Sequence, residues 1–581
     1  RFLEKSIQLE PGAYEPRGNL ILVALAESAF GEAMEHFEKQ PVNWQESVQG
    51  NEIHGSILDG LGRQALLNGE FERAEELIRL ALQKNEELST AWFNLGQVLR
   101  VHGAWEEAIE AYEKSVAHGD EAIGAQIAAW LTLPILYRSD DEITQVRQRF
   151  GDGLDQLERR FPLTSFENLD SAIDACTGRT NFQLAYQQQN DLELQKQYGA
   201  WVSSILAQEF ESLNPHGDSA RNRIRVGFVS SFWWRHTVGK LFRGWVEDID
   251  HDAFEVIVYH LGTRQDEVTQ ALALAADTYV NIQGLRAQVK RIREDAPDVL
   301  IYPEVGMDGA TMALAALRLA PVQCVSWGHP VTTGLPTMDY FLTSEAMEPA
   351  DSENSYSETL VRLPELSISY SKPDLPALER TRADFGLPQN KVLYLCCQSL
   401  FKYLPENDDV WVDIKKGCMD AHFVFINNKS SKLTDRFKSR LGCRFTEAGL
   451  DLTDCSTFVG PLQFEDYLQL NGLCDIYLDS LGWSGGNTSL EALAWSLPMV
   501  TWKGEWMRGR HTAAILDLMS MSEWVADDRP GYVERAIILG LDPEKRREVR
   551  EMLKERCEQI YSNRGSIRAL ETFLRKVSTH E

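Results

Sequence analysis

A glycine-rich polar turn lies where a predicted strand passes into a predicted helix near the C-terminal end of the chain. In "YLDSLGWSGGNTSLEALAW", an apolar run over residues 475–478 breaks into "SGGNTS", and a helical pattern starts at about Leu490. The start of a helix carries unpaired backbone N–H groups at the positive end of its dipole, and such a site suits a phosphate. The same residues also suit a plain turn in which Thr488 caps the helix. The turn therefore predicts either an anion site or a structural cap.

Four more polar segments follow predicted strands: "SSFWWRHTVG" from Ser230, "GHPVTTG" from Gly328, "QSLFK" from Gln398 and "GPLQFEDY" from Gly460. In open α/β sheets, ligands bind beyond the carboxyl ends of the strands, so these segments are candidates for one site. The sequence has no GxGxxG after the first strand and no GxxxxGK[ST]. These absences disfavour a nicotinamide enzyme and a P-loop NTPase.

The elements that must position these segments form two α/β series. The first contains "RIRVGFVS", "FEVIVYHL", "DVLIYPEV" and "PVQCVSWG", and the second contains "VLYLCCQS", "AHFVFINN", "STFVG", "DIYLDS" and "MVTWKG". Strands that alternate with helical patterns predict doubly wound parallel sheets. We therefore predict two Rossmann-like domains, at residues 221–375 and 376–581, with a ligand cleft between them. We expect the amphipathic helix "EKRREVREMLKERCEQIYS" to pack across that cleft.

The N-terminal part contains a repeat with an offset of 34 residues. "LDGLGRQALLNGEFERAEELI" aligns with "WFNLGQVLRVHGAWEEAIEAY", which pairs Gly62 with Gly96 and Gly69 with Gly103. The spacing and residue types resemble the tetratricopeptide repeat, in which small residues let two antiparallel helices approach closely. A generic bundle of helical hairpins is the alternative. We predict repeats over residues 1–120 and a helical connector over 121–220.

Composition narrows the class of protein. The chain has 581 residues and a formal net charge of −29, which disfavours binding to nucleic acid or to an anionic membrane surface. No apolar run reaches the roughly 18–20 residues of a membrane span. The nine cysteines include no CxxC pair, so we expect free thiols in a cytoplasmic protein and no metal site. The chain starts at Arg1 rather than Met, so its true start is left open.

Taken in order, the repeats, "RVGFVSS", "LAPVQCVSWGHPVTTGLPTMDY", "QSLFK" and "GGNTSLEAL" resemble glycosyltransferase family 41. That family contains protein O-GlcNAc transferases, bacterial ones among them, and bacterial adhesin N-glucosyltransferases. The resemblance runs from about Asn181 to the C-terminus. It implies a GT-B fold, a nucleotide-sugar donor, no metal ion and no cofactor other than the UDP-sugar co-substrate.

The resemblance also implies the donor-site residues. Lys402 would neutralise the diphosphate as a catalytic residue, and Asn487 with Thr488 would hold it at the helix N-terminus. Glu491 would accept hydrogen bonds from the ribose diol. Three further residues would contact the donor: Ser399, Tyr467 against the base, and Leu462 through its backbone. Ser399 is smaller than the glutamine of the animal enzymes, so Gln398 is an alternative for its contact.

On the acceptor side, the resemblance implies a site near the first strand. His236 would be either a general base or a positioning residue. His329 departs from the tyrosine of the animal enzymes and agrees with the N-glucosyltransferases, as does "GMD" ending at Asp308. The remaining candidates for the sugar or acceptor site are Gly328, Arg510 and His511, the last two of which also suit a helix-end packing pair.

The resemblance implies an inverting protein glycosyltransferase that moves a sugar, GlcNAc first, from a UDP-sugar to Ser/Thr of proteins held by the repeats. Two alternatives stay open: a UDP-glucose-dependent enzyme that modifies Asn in Asn-X-Ser/Thr, and a catalytically inactive scaffold. The acceptor protein, the sugar and the oligomeric state do not follow from the sequence.

Overall fold

The computed structural model describes residues 14–119, 123–161, 169–210 and 221–578. The chain divides into two compact units. The first comprises the described residues as far as Leu136, together with Gln148–Leu157 and Lys429–Arg436. The second comprises Tyr137–Arg147, Glu158–Asn428 and the described residues from Phe437 onward.

The first unit is built from antiparallel helical hairpins. Its helices are α1 (Tyr14–Ala26), α2 (Phe30–Glu38), α3 (Val42–Gln45), α4 (Val48–Asn68), α5 (Phe71–Lys84), α6 (Ser89–Val101), α7 (Trp105–His118) and α8 (Ile123–Leu131). The two predicted repeats are the hairpins α4–α5 and α6–α7.

Glycine permits the close approach of helices within each hairpin. A Cβ on Gly62 of α4 would lie 2.5 Å from Cγ1 of Ile78 on α5. A Cβ on Gly96 of α6 would lie 2.4 Å from Cε1 of Tyr112 on α7. Gly69 turns the first hairpin with a φ of 79°, in the left-handed region that glycine adopts at no steric cost.

Several helices precede the first sheet: α9 (Asp140–Arg160), α10 (Leu169–Thr177), a 3₁₀ helix (Phe182–Gln187) and α11 (Leu192–Glu209). The 3₁₀ helix and α11 belong to the second unit. Within that unit, two parallel sheets follow, and we call the part around the first sheet the first lobe and the part around the second sheet the second lobe.

The first lobe contains seven parallel strands in the order β3-β2-β1-β4-β5-β6-β7. They are β1 (Ile224–Ser230), β2 (Phe254–His260), β3 (Thr278–Asn281), β4 (Val299–Tyr302), β5 (Val322–Ser326), β6 (Tyr340–Ser344) and β7 (Thr359–Leu363). The helices between them are α12 (Thr237–Glu247), α13 (Glu267–Ala275), α14 (Leu285–Asp295) and α15 (Gly309–Ala315). The strands β1, β2, β4 and β5 are buried along most of their length, as their near-continuous apolar sequences predict for a covered parallel sheet.

The second lobe contains six parallel strands in the order β10-β9-β8-β11-β12-β13. They are β8 (Val392–Cys396), β9 (Ala421–Ile426), β10 (Ser456–Val459), β11 (Ile476–Leu478), β12 (Met499–Trp502) and β13 (Val525–Ala526). Its helices are α16 (Asp409–Gly417), α17 (Ser431–Glu447), α18 (Leu452–Cys455), α19 (Phe464–Leu473), α20 (Asn487–Ala494), α21 (His511–Leu518) and α22 (Arg529–Leu541). The predicted domain boundary at 375/376 falls between β7 and β8, and the boundaries themselves stay predictions.

The two C-terminal helices, α23 (Pro543–Arg556) and α24 (Gly565–Ser578), pack on different lobes. On α23, Arg550 donates to the carbonyl of Trp495 in the second lobe. On α24, the Phe573 ring meets the Tyr340 ring of β6 at 5.2 Å, edge to face. Helix α23 therefore lies on the second lobe, and α24 lies against β6 of the first. The end of the segment expected to cross the cleft does contact residues before the predicted boundary, since Glu558 pairs with Lys372 and the Ser562 amide donates to the Tyr370 carbonyl.

None of the helices in the described part of the chain is both long and apolar enough to span a bilayer.

Candidate functional site

Sheet topology brings the "QSLFK" and "SGGNTS" segments together. β8 and β11 are neighbours in register, with Tyr477 opposite Leu395, so the loops that follow them leave the same edge of the sheet. The Gln398 side chain joins the two loops, since its Nε2 donates to the Thr488 hydroxyl (2.5 Å) and its Oε1 accepts from Lys402 Nζ (2.8 Å). The ammonium thus lies one side chain away from the start of α20.

The charge on Lys402 is the main electrostatic feature of this edge. Burial lowers the pKa of Lys402 to about 8, and the Asp479 carboxylate opposes that shift. The Trp483 ring lies 5.9 Å from the ammonium nitrogen. A partly desolvated cation beside a helix N-terminus suits an anion, because the ammonium and the N-terminal end of the helix dipole are both positive.

The glycine turn before α20 is not closed by a side-chain cap. The N-cap residue is Gly486, and no side chain accepts a hydrogen bond at this cap. Thr488 does not cap the helix, because its hydroxyl is held by Gln398 and Tyr477 instead. Asp479, at the end of β11, accepts from the Gly485 amide at 2.8 Å and holds the turn in place. The first turn of α20 therefore offers backbone donors to a ligand.

Two α20 side chains reach the first lobe. Asn487 donates to the carbonyl of Thr237 (3.0 Å) and accepts from the Tyr370 hydroxyl (3.0 Å). Glu491, which is 2% exposed, pairs with the ammonium of Lys240 on α12. Burial raises the pKa of Glu491, and the charge of Lys240 opposes this.

The other donor-site candidates are half-buried or exposed, and Tyr467 is hydrogen-bonded to Glu491. Tyr467 on α19 is half-buried, and its hydroxyl lies 3.6 Å from the Cys397 sulfur. Leu462 lies between β10 and α19 and is also half-buried. Ser399 is exposed and has its carbonyl bonded to the Lys402 amide, whereas the neighbouring Gln398 is the buried group at the centre of the site.

His236 is the N-cap of α12. Its Nδ1 accepts from the Val238 amide (3.3 Å), and its ring stacks on Phe232 with centroids 4.3 Å apart. Burial, then Lys240 and Arg264, lower the pKa of His236 to about 4. The ring is therefore neutral near pH 7, and because Nδ1 accepts a hydrogen bond, Nε2 carries the proton. In this state His236 offers a hydrogen-bond donor rather than a base.

Asp308 and Gly328 have structural tasks at the edge of the first sheet. Asp308 is the N-cap of α15, where it accepts from the amides of Ala310 and Thr311, both at 3.0 Å. A Cβ on Gly328 would lie 2.6 Å from the carbonyl oxygen of Pro303, so the chain passes too closely there for a larger residue.

His329 belongs to a group of rings that we call the aromatic cluster. The buried His329 stacks on Phe182 with ring centroids 5.2 Å apart, and it lies 6.0 Å from the Trp483 ring. Trp483 stacks in turn on Tyr186 at 4.0 Å. Burial, and then Arg508, lower the pKa of His329 to about 3. The members of the aromatic cluster are Phe182, Tyr186, His329, Phe401 and Trp483.

Arg510 and His511 start α21, beside the glycine turn. His511 is 3% exposed; its Nδ1 lies 3.4 Å from the carbonyl oxygen of Ser484, and its Nε2 is buried without a hydrogen-bond partner. Burial, then the charge of Lys402, lower the pKa of His511 to about 4. Arg510 is half-buried, with burial lowering its pKa and Glu348 opposing the shift.

Three residues of this site were not among the sequence candidates: Lys240, Asp479 and Trp483. Asp479 had a signal, because it directly follows a strand, as "DIYLDS" shows. Lys240 and Trp483 had none, since a lysine in an amphipathic helix and a tryptophan in a loop are ordinary residues. Within the described ranges, no three His, Cys, Asp or Glu side chains are grouped to hold a metal ion.

Comparison with known proteins places this geometry in a family. The model for glycosyl transferase family 41 matches residues 202–369 and 371–564, and a tetratricopeptide repeat model matches residues 60–124. A solved O-GlcNAc transferase mutant from Thermobaculum terrenum covers 97% of this chain and 98% of its own with a TM-score of 0.68. At 22% sequence identity, that likeness shows the fold, a GT-B architecture preceded by helical repeats.

Curated relatives match part of their length. A probable UDP-N-acetylglucosamine–peptide N-acetylglucosaminyltransferase SPINDLY of Petunia hybrida is 27% identical over 368 residues, 61% of this chain and 38% of that protein. A UDP-glucose:protein N-beta-glucosyltransferase of Actinobacillus pleuropneumoniae is 24% identical over 310 residues, 51% of this chain and 48% of that protein. The chain thus spans less than half the length of either relative. Because the family model matches more than half of the 581 residues, the chain belongs to glycosyltransferase family 41.

Proposed function

We propose that the chain is an inverting protein glycosyltransferase that transfers a sugar, GlcNAc first, from a UDP-sugar to Ser/Thr hydroxyls of protein acceptors. The observation that carries this proposal is the Lys402 ammonium beside the uncapped start of α20, bridged to Thr488 by Gln398. The arrangement suits the leaving diphosphate of a nucleotide sugar. Among the relatives, both the plant and the bacterial protein are described as transferases to peptide or protein from a UDP-sugar.

In the proposed donor complex, the diphosphate lies between Lys402 and the backbone amides at the start of α20. The Glu491 carboxylate, one turn along the helix, takes the ribose hydroxyls. The base lies near Tyr467 and the backbone of Leu462. Asn487 does not reach the donor with its side chain in the present structure, since that amide bonds Thr237 and Tyr370; its backbone N–H is the group available to a phosphate.

In the proposed reaction, the acceptor oxygen attacks the anomeric carbon as the bond from that carbon to the β-phosphate oxygen breaks. The acceptor proton passes from the oxygen to water, and negative charge builds up on the departing UDP. Lys402 and the helix dipole stabilise that charge, which is the role a divalent metal has in other transferases. No step needs a metal ion. His236, whose Nδ1 already accepts from the Val238 amide, would orient the acceptor or sugar rather than remove the proton.

The helical repeats would bind the polypeptide acceptor. Repeat arrays of this type form extended surfaces that bind polypeptide without chemistry of their own.

The cytoplasmic location predicted from the cysteines stays part of the proposal. It rests on the nine scattered cysteines of the sequence, which include no CxxC pair.

The aromatic cluster favours UDP-glucose as the donor, which is the donor of the second candidate function, transfer of glucose to Asn. Trp483 is 7% exposed and stacks on Tyr186, so it fills space beside Lys402, next to the place where a sugar on the β-phosphate would lie. A bulky side chain there suits a sugar without an N-acetyl group. The bacterial relative is described as using UDP-glucose.

One experiment separates these functions. The protein is incubated with a cell lysate and UDP-GlcNAc, UDP-glucose or GDP-fucose in turn, and modified proteins are identified by intact mass and site mapping. A mass increase of one sugar with one UDP-sugar, on Ser/Thr or on Asn, selects between the two enzymes. Lys402→Met should abolish the increase, whereas Lys415→Met, which changes a buried lysine bonded to the carbonyls of Met419 and Ala421, serves as the matched control. No transfer from any donor would favour an inactive scaffold.

A further inference from the structure

The Glu491 carboxylate is matched by a cation from the opposite lobe. Lys240 lies on α12 of the first lobe, whereas Glu491 lies on α20 of the second, and the Lys240 ammonium contacts Glu491 Oε1. The ammonium nitrogen also lies 4.6 Å from the centroid of the Phe464 ring, at the start of α19. An aromatic face and a carboxylate together fix the position of this otherwise flexible side chain.

The ion pair affects the protonation state of the Glu491 carboxyl group. Glu491 is 2% exposed, and a buried carboxyl group without a cation favours its neutral form. A neutral carboxyl keeps a proton on one oxygen, so it cannot accept hydrogen bonds from both hydroxyls of a diol as the ionised group can. Lys240 supplies the opposite charge, which lowers the pKa of Glu491 against the larger effect of burial. The contact is to Oε1, so the lysine does not use the second carboxylate oxygen.

We propose that Lys240 is a positioning residue of the donor site, which holds Glu491 ionised and oriented for the ribose diol from across the cleft. The donor site would then be complete only when the two lobes meet. This inference rests on the proposed function, since it takes Glu491 as the ribose ligand.

Other contacts also join the two lobes near the Lys240–Glu491 ion pair. Asn487 bonds the Thr237 carbonyl in the first turn of α12, and Arg235 just before that helix pairs with Glu465 at 3.1 Å. The start of α12 is thus joined to α20 through Asn487 and to the start of α19 through Glu465. The titratable groups that face Glu491 from the surrounding elements are Lys240, Tyr370, Cys397, Tyr467 and Tyr561. Lys240 is the one cation among them.

The test is a comparison of two nucleotides in binding titrations at pH 7. UDP and 2′,3′-dideoxy-UDP are titrated into the wild-type protein, Lys240→Met, Lys240→Arg and Glu491→Gln. We expect Lys240→Met to weaken UDP binding about tenfold, the scale of one lost charge-assisted hydrogen bond. The same change should leave dideoxy-UDP binding unaltered, and Lys240→Arg should restore UDP binding. Glu491→Gln should bind both nucleotides alike.

The same titrations at several pH values separate an effect of charge from a loss of packing, because a loss of packing would not depend on pH. As pH is lowered, the ratio of UDP to dideoxy-UDP affinity should start to fall at a higher pH in Lys240→Met than in the wild-type protein, because the charge of Lys240 lowers the pKa of Glu491. The ratio cancels the diphosphate contacts, which the two nucleotides share.

Three results would overturn the inference: unchanged UDP affinity in a folded Lys240→Met, tighter UDP binding in that variant, or an equal loss for both nucleotides. Tighter binding would mean that Lys240 competes with the ribose, and an equal loss would mean that it acts on the diphosphate. If the wild-type protein binds UDP and dideoxy-UDP equally, the ribose assignment of Glu491 fails instead, and with it this part of the proposed function. Melting curves of each variant show that the titrations compare folded proteins.

Discussion

The Asp479 carboxylate accepts a hydrogen bond of 2.8 Å from the Gly485 amide, and this bond ties the end of β11 to the turn that starts α20. The same carboxylate accepts from the Thr501 hydroxyl at 2.7 Å. It also raises the pKa of Lys402 against the effect of burial. One buried residue therefore shapes the anion site and maintains its charge.

UDP binding should weaken as pH rises through about 8. Lys402 has a pKa of about 8 in the unliganded protein, so its side chain is positively charged below this pH and neutral above it. A diphosphate binds the charged form, and affinity should fall by up to about tenfold for each pH unit above the pKa. Calorimetric titration of UDP between pH 6.5 and 9.5 measures this. Lys402→Met should bind UDP weakly at every pH, and a pH slope that persists in this variant would assign the titration to another group.

Asp479→Asn should move that pH dependence to lower pH. The amide keeps the shape of the carboxylate and can still accept from Gly485, but it removes the negative charge that raises the pKa of Lys402. The UDP affinity of the variant should therefore start to fall below pH 8. The same titrations show the shift. An unchanged midpoint with uniformly weaker binding would mean that Asp479 acts through the turn alone.

Transfer should persist in excess EDTA. Lys402 and the N-terminus of α20 supply the positive field at the diphosphate, so the proposed mechanism needs no divalent ion. Initial rates with UDP-sugar and a protein acceptor are compared with and without EDTA. A rate that EDTA abolishes and added Mg²⁺ or Mn²⁺ restores would contradict the mechanism.

Trp483→Leu should change the preference among donor sugars. The indole fills space beside the Lys402 ammonium, 5.9 Å away, and a smaller apolar residue would open that space while keeping the core apolar. We expect kcat/KM for UDP-GlcNAc to rise relative to UDP-glucose by about tenfold, the scale of one substituent in an apolar pocket. Trp502→Leu, in the same lobe and bonded to the Asp527 carbonyl, is the control. Equal ratios in both variants would place the sugar elsewhere.

Gly96→Ala should destabilise the helical repeats. Its Cβ would lie 2.4 Å from the Tyr112 ring, so the two helices of the hairpin must move apart, at a cost of about 1–3 kcal/mol. Gly31→Ala is the matched control, because nothing lies within 4 Å of a Cβ there. Thermal melting followed by circular dichroism compares the two variants. Equal melting temperatures for Gly96→Ala and the wild-type protein would show that the hairpin does not need glycine at this contact.

The sequence predicted the long apolar strands and the helical repeat. "RIRVGFVS" and "FEVIVYHL" became β1 and β2, because short runs of β-branched and aromatic residues favour buried strands of a parallel sheet. The 34-residue offset located the hairpins α4–α5 and α6–α7 for a similar reason, since paired glycines mark helices in close contact. β3, with the sequence "TYVN", was missed because it is short and half polar, and β6, β7 and β13 were also missed.

The sequence alone predicted which polar segments follow strands, among them those that contain Lys402 and Thr488, and the family resemblance added the prediction for Glu491. Only the tertiary structure decided what each of these groups contacts. Residues 402 and 488 meet through Gln398 because β8 and β11 are neighbours in the sheet, although they are far apart in the chain. Lys240 and Glu491 meet for a further reason: two lobes with separate sheets face each other, and neither sequence segment contains a sign of the other. Local patterns reflect the burial of one segment, whereas contacts between distant segments follow from strand order and lobe packing, which are properties of the whole chain.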